Sequence, residues 1–267
     1  MSPSSKPPSA PGKSTPEDDG KDRAAIRKAA QDLVRSAGLP PNLAFQVALG
    51  NLSLNEVLQR MVTREKVATL MERHGLPKSL ATQIALGQAD LDTVLRKQRL
   101  AAHLDANRER SLLGGSVADG GLIQLSLLGN RSAYGRVLEV GRYEFHFQTV
   151  DPKTGATTGD ERIHKLQCKL GCLASDAKHV RNQIKRDKAY ADPCEPIWKP
   201  QERYGCSDRR LFGHIDNEDQ VECRVQEGQT LRGVIRWMGR WEFGLEMKKK
   251  QVEVVVFRHA LLHLGRV

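Results

Sequence analysis

Gly135-Arg136-Val137-Leu138-Glu139-Val140-Gly141-Arg142-Tyr143-Glu144-Phe145-His146-Phe147 decides how this chain is read. It recurs 98 residues later as Gly233-Val234-Ile235-Arg236-Trp237-Met238-Gly239-Arg240-Trp241-Glu242-Phe243-Gly244-Leu245. A repeat at a fixed offset means that one structural unit is built twice. Each copy carries a basic residue followed by an aromatic at one point, Arg142-Tyr143 and Arg240-Trp241. A cation next to a flat π surface suits an unstacked nucleic-acid base.

Working outward, the flanking residues alternate in period two. Val221, Cys223 and Val225 are followed by Leu231, Gly233, Ile235 and Trp237, then by Trp241, Phe243, Leu245 and Met247, then by Val252, Val254 and Val256. This alternation predicts a meander of short strands, with Lys248-Lys249-Lys250 as a tight basic turn. The first copy follows the same plan from Ile123 to Leu170, with a longer Pro/Gly/Thr-rich loop at Asp151–Gly159. That loop reduces the offset to 94, which sets Ile163-His164-Lys165 opposite Phe257-Arg258-His259. Gly135 and Gly233 fall mid-strand, where a missing side chain permits a sharp bend. The expectation is two small, strongly bent, five-stranded antiparallel barrels at 121–172 and 217–267. A basic, proline-containing linker, 173–216, joins them.

A second repeat lies upstream. Gly38-Leu39-Pro40 through Leu58 matches Gly75-Leu76-Pro77 through Leu95 at an offset of 37, with 12 of 21 positions identical. Pro40 and Pro77 open short helices, and Gly50 and Gly87 end them. Ser53 and Asp90 are N-cap candidates for longer helices, and Ser53-Leu54-Asn55-Glu56 has the form of a capping box. Residues 23–112 therefore read as a helical repeat domain, its last helix running to about Arg110. The fold class is α+β multidomain, with the helical repeat first and the two barrels after it. Gly114-Gly115 through Gly120-Gly121 reads as a flexible joint. Residues 1–22, rich in Pro and Ser, read as a disordered tail.

Net charge is +10 over 267 residues, which fits a polyanionic partner such as nucleic acid. No apolar run approaches the ~20 residues of a membrane span, and residues 1–20 lack the apolar core of a signal peptide. A cytoplasmic location with five reduced cysteines is expected, and no membrane partner.

Val225-Gln226-Glu227-Gly228-Gln229-Thr230-Leu231-Arg232-Gly233-Val234-Ile235, followed by Trp241-Glu242-Phe243-Gly244-Leu245, resembles the first motif of Sm-like proteins. Val256-Phe257-Arg258-His259-Ala260 resembles the second motif of the Hfq-like RNA chaperones, Tyr-Lys-His-Ala. The likeness covers about 217–267, with the tandem copy at 121–172. In that family, modules form a ring by pairing strands between neighbours, and one face binds uridine-rich RNA. The resemblance implies Arg240 as a polar pocket residue, Trp241 as the base-stacking aromatic, and Arg258 and His259 as contacts to bases and phosphates. Arg142 and Tyr143 match the first two positions, while His164 and Lys165 stand for the Lys-His pair in reversed order. The aromatic that the family uses on its opposite, purine-preferring face is replaced by Arg224 and Ser126, so adenine-rich binding is not implied.

Plainer readings stand beside these. The strand period puts Trp241 on the inner side, which leaves a core role open for it and for Tyr143. Cys168, Cys172, Cys194 and Cys206 lie within 39 residues but lack tight knuckle spacing, so no metal or cofactor is expected. Lys178, Arg181, Lys185, Arg186 and Lys188 form a basic stretch between the copies, either a solvated helix surface or a phosphate clamp. No catalytic constellation is present, so an enzyme is not expected. The expected function is non-catalytic capture of single-stranded, U-rich RNA. The alternative is an interaction scaffold whose barrels oligomerise and whose helical repeats bind a protein. The apolar Val252–Phe257 strand, read as an exposed edge, points to a homotrimer closing a six-barrel ring, the alternative being that the two barrels pair only with each other.

Overall fold

The computed structural model describes residues 16–248 and 251–267. Most of the expected tail, residues 1–15, and Lys249-Lys250 of the basic turn lie outside the described residues, whereas Pro16 already begins a helix. The chain divides into two compact units between Val94 and Leu95.

The first unit holds α1 (Pro16–Ala37), α2 (Pro41–Ala48), α3 (Leu54–His74) and α4 (Lys78–Ala85). The 37-residue repeat is built as its sequence implies. Pro40 and Pro77 stand just ahead of the short helices, and Gly50 and Gly87 follow them with positive φ, a conformation that suits glycine. Ser53 and Glu56 form the reciprocal capping box. Leu39 and Ala44, and their repeat equivalents Leu76 and Ala81, are all buried. α5 (Leu91–Ala106) spans the division and is capped by Asp90, which accepts from the Thr93 N–H at 2.8 Å.

The second unit corrects the expected fold class. There are not two separate five-stranded barrels. Among the described residues the whole chain has eight α-helices and one open antiparallel sheet of eleven strands. Its first run is β1 (Ile123–Leu127), β2 (Ser132–Val140), β3 (Glu144–Val150), β4 (Thr157–His164) and β5 (Cys168–Leu173). The second is β7 (Gln220–Val225), β8 (Gln229–Met238), β9 (Glu242–Met247), β10 (Val252–Phe257) and β11 (Leu261–Arg266). The order across the sheet is β11-β7-β8-β9-β10-β5-β1-β2-β3-β4, and β6 (Lys185–Arg186) pairs with β8. α7 (Ala177–Arg181) and α8 (Asp208–Asp216) lie in the connection between the runs.

β10 pairs with β5, and that pairing fuses the runs. Val252, Val254, Val255 and Val256 are thereby buried instead of forming an exposed edge, which removes the motive for a ring. One outer edge of the sheet is β4, whose Asp160 and Arg162 are exposed, a composition that disfavours further strand addition.

Gly135 and Gly233 do the same work in both runs. A Cβ at Gly135 would lie 1.9 Å from the Gln148 carbonyl oxygen, and one at Gly233 would lie 2.2 Å from that of Glu246. Each strand crosses its neighbour too closely for any side chain.

A buried ion pair ties the two runs together. Lys169 on β5 donates to Glu227, which also accepts from the backbone N–H groups of Gly129 at 2.6 Å and Asn130 at 3.0 Å. Both side chains are at most 2% exposed. Burial pushes the Lys169 ammonium down. Burial also acts to raise Glu227, but the Lys169 bond and charge and the two N–H donors outweigh it and hold the carboxyl below its ordinary range.

The expected glycine joint is instead a helix, α6 (Leu112–Asp119). Ser111 caps it, accepting from the Gly114 N–H at 3.4 Å. Leu113 is buried in the core of the first run, and the Ser116 hydroxyl accepts from the Val137 N–H at 3.1 Å. Tertiary anchoring here overrides the low helix propensity of glycine.

Candidate nucleic-acid interface

The repeated motif forms two hairpin tips, one between β2 and β3 and one between β8 and β9. Each closes by the same bond: Gly141 N–H to Glu144 carbonyl and Gly239 N–H to Glu242 carbonyl, both 2.8 Å. The tight turn throws the aromatic outward. Tyr143 is 59% exposed and Trp241 60%, so neither is a core residue. The inward side expected for Trp241 from strand period is overturned, because it precedes the first residue of β9 and lies off the pleat. The buried tryptophan is Trp237, with the Arg110 guanidinium 4.6 Å from its ring centroid.

At each tip the preceding arginine lies over the aromatic ring. The distance is 5.0 Å for Arg142 on Tyr143 and 4.7 Å for Arg240 on Trp241. This places a cation against one face of the ring, within the range of a cation–π contact. The first tip also lines an open cleft of about 300 Å³, with Glu139, Arg142, Tyr143, Glu144, His146 and Arg162 in its wall. His146 and Arg162 are paired across β3 and β4 and were not read as site residues from the sequence. Strand alternation alone gave them no distinguishing mark.

The basic residues after β4 and β10 are placed differently from expectation. Short 3-10 turns follow at Lys165–Gln167 and Arg258–Ala260, so the offset here is 93, not 94. Lys165 is the counterpart of Arg258, and Leu166, not Lys165, is the counterpart of His259. The segment between the paired Thr149 and Gly159 of β3 and β4, 150–158, is five residues longer than its counterpart between Met247 and Val252 of β9 and β10, 248–251, which takes the offset from 98 to 93. The reversed His-Lys order was a product of that one-residue slip.

Lys165 and Arg258 both latch their own tip. The Lys165 ammonium donates to the Gly141 carbonyl at 2.6 Å, and the Arg258 guanidinium donates to those of Gly239 at 3.2 Å and Arg240 at 3.3 Å. Arg258 is further tied to Asp208 at 2.7 Å and to the Cys206 carbonyl. Both cations thus brace the backbone of their tips. His164 accepts from the Leu166 N–H at 3.1 Å, and its ring lies 5.1 Å from that of Trp198. Trp198 is exposed in the segment that connects the two runs.

His259 sits at the seam of the two runs, its Nε2 2.8 Å from the Cys168 carbonyl oxygen. That partner requires the Nε2–H form. Burial is the main reason its pKa falls to about 4, so it is neutral at pH 7 and offers no charge to a phosphate.

Lys178, Arg181, Lys185, Arg186 and Lys188 are all exposed. They do not form one solvated helix: α7 ends at Arg181, and Lys185-Arg186 is the short strand β6. Among the four cysteines considered for metal, Cys168 and Cys172 are buried in β5, and Cys194 is exposed. No group of three or more His, Cys, Asp or Glu able to hold a metal ion occurs among the described residues. No described helix is long and apolar enough to cross a membrane. No family model matches the chain, and no curated protein or solved structure matches it either.

Proposed function

We propose that this protein binds single-stranded RNA without catalysis, in the manner of Sm-like and Hfq-like proteins, and that the two hairpin tips are the stacking platforms. The observation that carries the reading is the repeated pair: an aromatic ring about 60% exposed, with its own arginine 5.0 or 4.7 Å above it. The guanidinium lies against one ring face, and the exposure of each ring leaves area for a base. The stacked base and the cation would together favour an unpaired nucleotide, with uridine-rich strands as the first candidates. The net charge of +10 supports a polyanionic ligand. The β10–β5 pairing supports the resemblance too, since neighbour-to-neighbour strand pairing is what that family uses, here within one chain.

Stacking on an aromatic contributes roughly 1–3 kcal/mol per base. Tyr143→Ala with Trp241→Ala should weaken binding of an oligo-U probe at least ~10-fold in fluorescence anisotropy, with unchanged circular dichroism because both rings are exposed. Equal affinity of wild type and double variant would overturn the reading.

A second reading, a protein-interaction scaffold, draws on the helical unit. Leu49 and Leu86 occupy the same repeat position and are 43% and 54% exposed. Absorbance at 260 and 280 nm after purification without nuclease separates the two: a nucleic-acid signature favours the first reading, its absence the second.

A further inference from the structure

A cavity of about 320 Å³ opens between the two strand runs and the connecting segment, and it shares no residue with the tips. Its cationic lining is Arg131, Lys169, Arg181 and Arg186, and none of its lining residues is a carboxylate. Two of the cations are already neutralised: Lys169 by Glu227, and Arg131 by Glu161 at 2.8 Å. The other two are not. Arg186 is held by neutral oxygens, the Asn130 side-chain carbonyl and the Ala191 backbone carbonyl, and Arg181 has no ion pair among the described residues. Binding to neutral carbonyls fixes the Arg186 guanidinium without cancelling its charge.

The rest of the wall is not basic. Leu170, Cys172, Val180 and Val254 give it a buried apolar floor. Above that floor, Ser126 on β1 donates to the Gln229 side-chain carbonyl at 3.1 Å, which leaves the Gln229 amide N–H groups available, and Gln124 adds a second amide. An apolar floor, amide donors and acceptors, and two uncompensated guanidinium groups form a consistent set. The first suits a base, the second its polar edge, and the third a phosphate.

We propose that this cavity binds one nucleotide, its phosphate at Arg181 and Arg186 and its base on the Leu170–Val254 floor. A volume of about 320 Å³ lies at the lower end of the range for small-molecule pockets and matches a ligand of one nucleotide's size. The nucleotide has two possible sources, the phosphorylated end of an RNA strand or a free mononucleotide. The site stands whether or not the tips bind RNA.

The test is isothermal titration with uridine 5′-monophosphate, adenosine 5′-monophosphate, uridine and inorganic phosphate. At least one mononucleotide should bind ten-fold or more tightly than uridine and than phosphate, and Arg181→Gln, at an exposed position, should weaken it at least ten-fold. Ser132→Trp, at the exposed rim, should block the cavity without removing any cation. Tyr143→Ala with Trp241→Ala should leave mononucleotide affinity unchanged, which separates this site from the tips. In that double variant, displacement by the mononucleotide of a 5′-phosphorylated oligo-U, but not of its 5′-hydroxyl counterpart, assigns the site to strand ends. Mononucleotide binding without such displacement assigns it to free nucleotides. The proposal is overturned if no mononucleotide binds at about 1 mM in low salt, or if Arg181→Gln and Ser132→Trp both bind as wild type does.

Discussion

The two hairpin tips are copies of one motif in two environments. The first is open: Glu144 is exposed, the cleft beside Tyr143 faces solvent, and Lys165 alone latches the turn. The second is embedded on one side. Glu242, the counterpart of Glu144, is 5% exposed and accepts from the Leu112 N–H at 3.0 Å. Its latch, Arg258, is also tied to Asp208. Yet Tyr143 and Trp241 are equally exposed, and each lies under its arginine. What the copies share is therefore the displayed surface and the turn geometry. What they do not share is the support behind it. A duplicated motif keeps its outward chemistry only where both copies hold the backbone in the same path, and here different contacts achieve that.

The largest expected effect strikes what is common. Gly135→Ala and Gly233→Ala each force a methyl into a neighbouring carbonyl, so each should cost about 3 kcal/mol or more in urea unfolding. Comparable losses in both would support one shared backbone path. A neutral result for either would show that its strand crossing can relax and that the two tips are not equivalent.

The next effect belongs to the second copy alone, because Leu166 stands where His259 would be. The folded pKa of His259, about 4, lies below its ordinary 6.5, so the folded state binds fewer protons between those values. Stability should therefore be full above pH 6.5 and fall as pH drops toward 4, by roughly 2–3 kcal/mol. His259→Gln, which can still donate to the Cys168 carbonyl, should flatten that part of the profile. An unchanged slope in the variant would remove His259 as the cause.

The smallest effect sharpens the contrast between the glutamates. Burial pushes the Glu242 carboxyl up, against the Ser111 and Leu112 hydrogen bonds and the Lys165 charge. A raised folded pKa means stability is lost as pH rises through it. Glu242→Gln should thus gain on wild type as pH rises from 4 to 7. Glu144→Gln should stay within about 0.5 kcal/mol throughout. Matching profiles for the two variants would mean that the tips feel the same surroundings after all.

Much of this was written in local pattern. The 37-residue repeat fixed its own helices, because Pro40, Gly50, Ser53 and their equivalents act within a few residues of themselves. The strands followed from period-two alternation, and Gly135 and Gly233 marked the close crossings in advance. The exposed Arg-aromatic pairs were found as a motif, although strand period alone pointed Trp241 the wrong way. Three things were decided only by tertiary structure. The fusion of both runs into one sheet depends on β10 meeting β5, and a strand's alternation is the same whichever neighbour it pairs with. The helix over Leu112–Asp119 exists because Leu113 and Ser116 are anchored, which glycine-rich sequence does not announce. And the contacts of Lys165, Arg258 and His259 with the tips and the seam were set there too, because the carbonyls within reach of each group are properties of the assembled sheet.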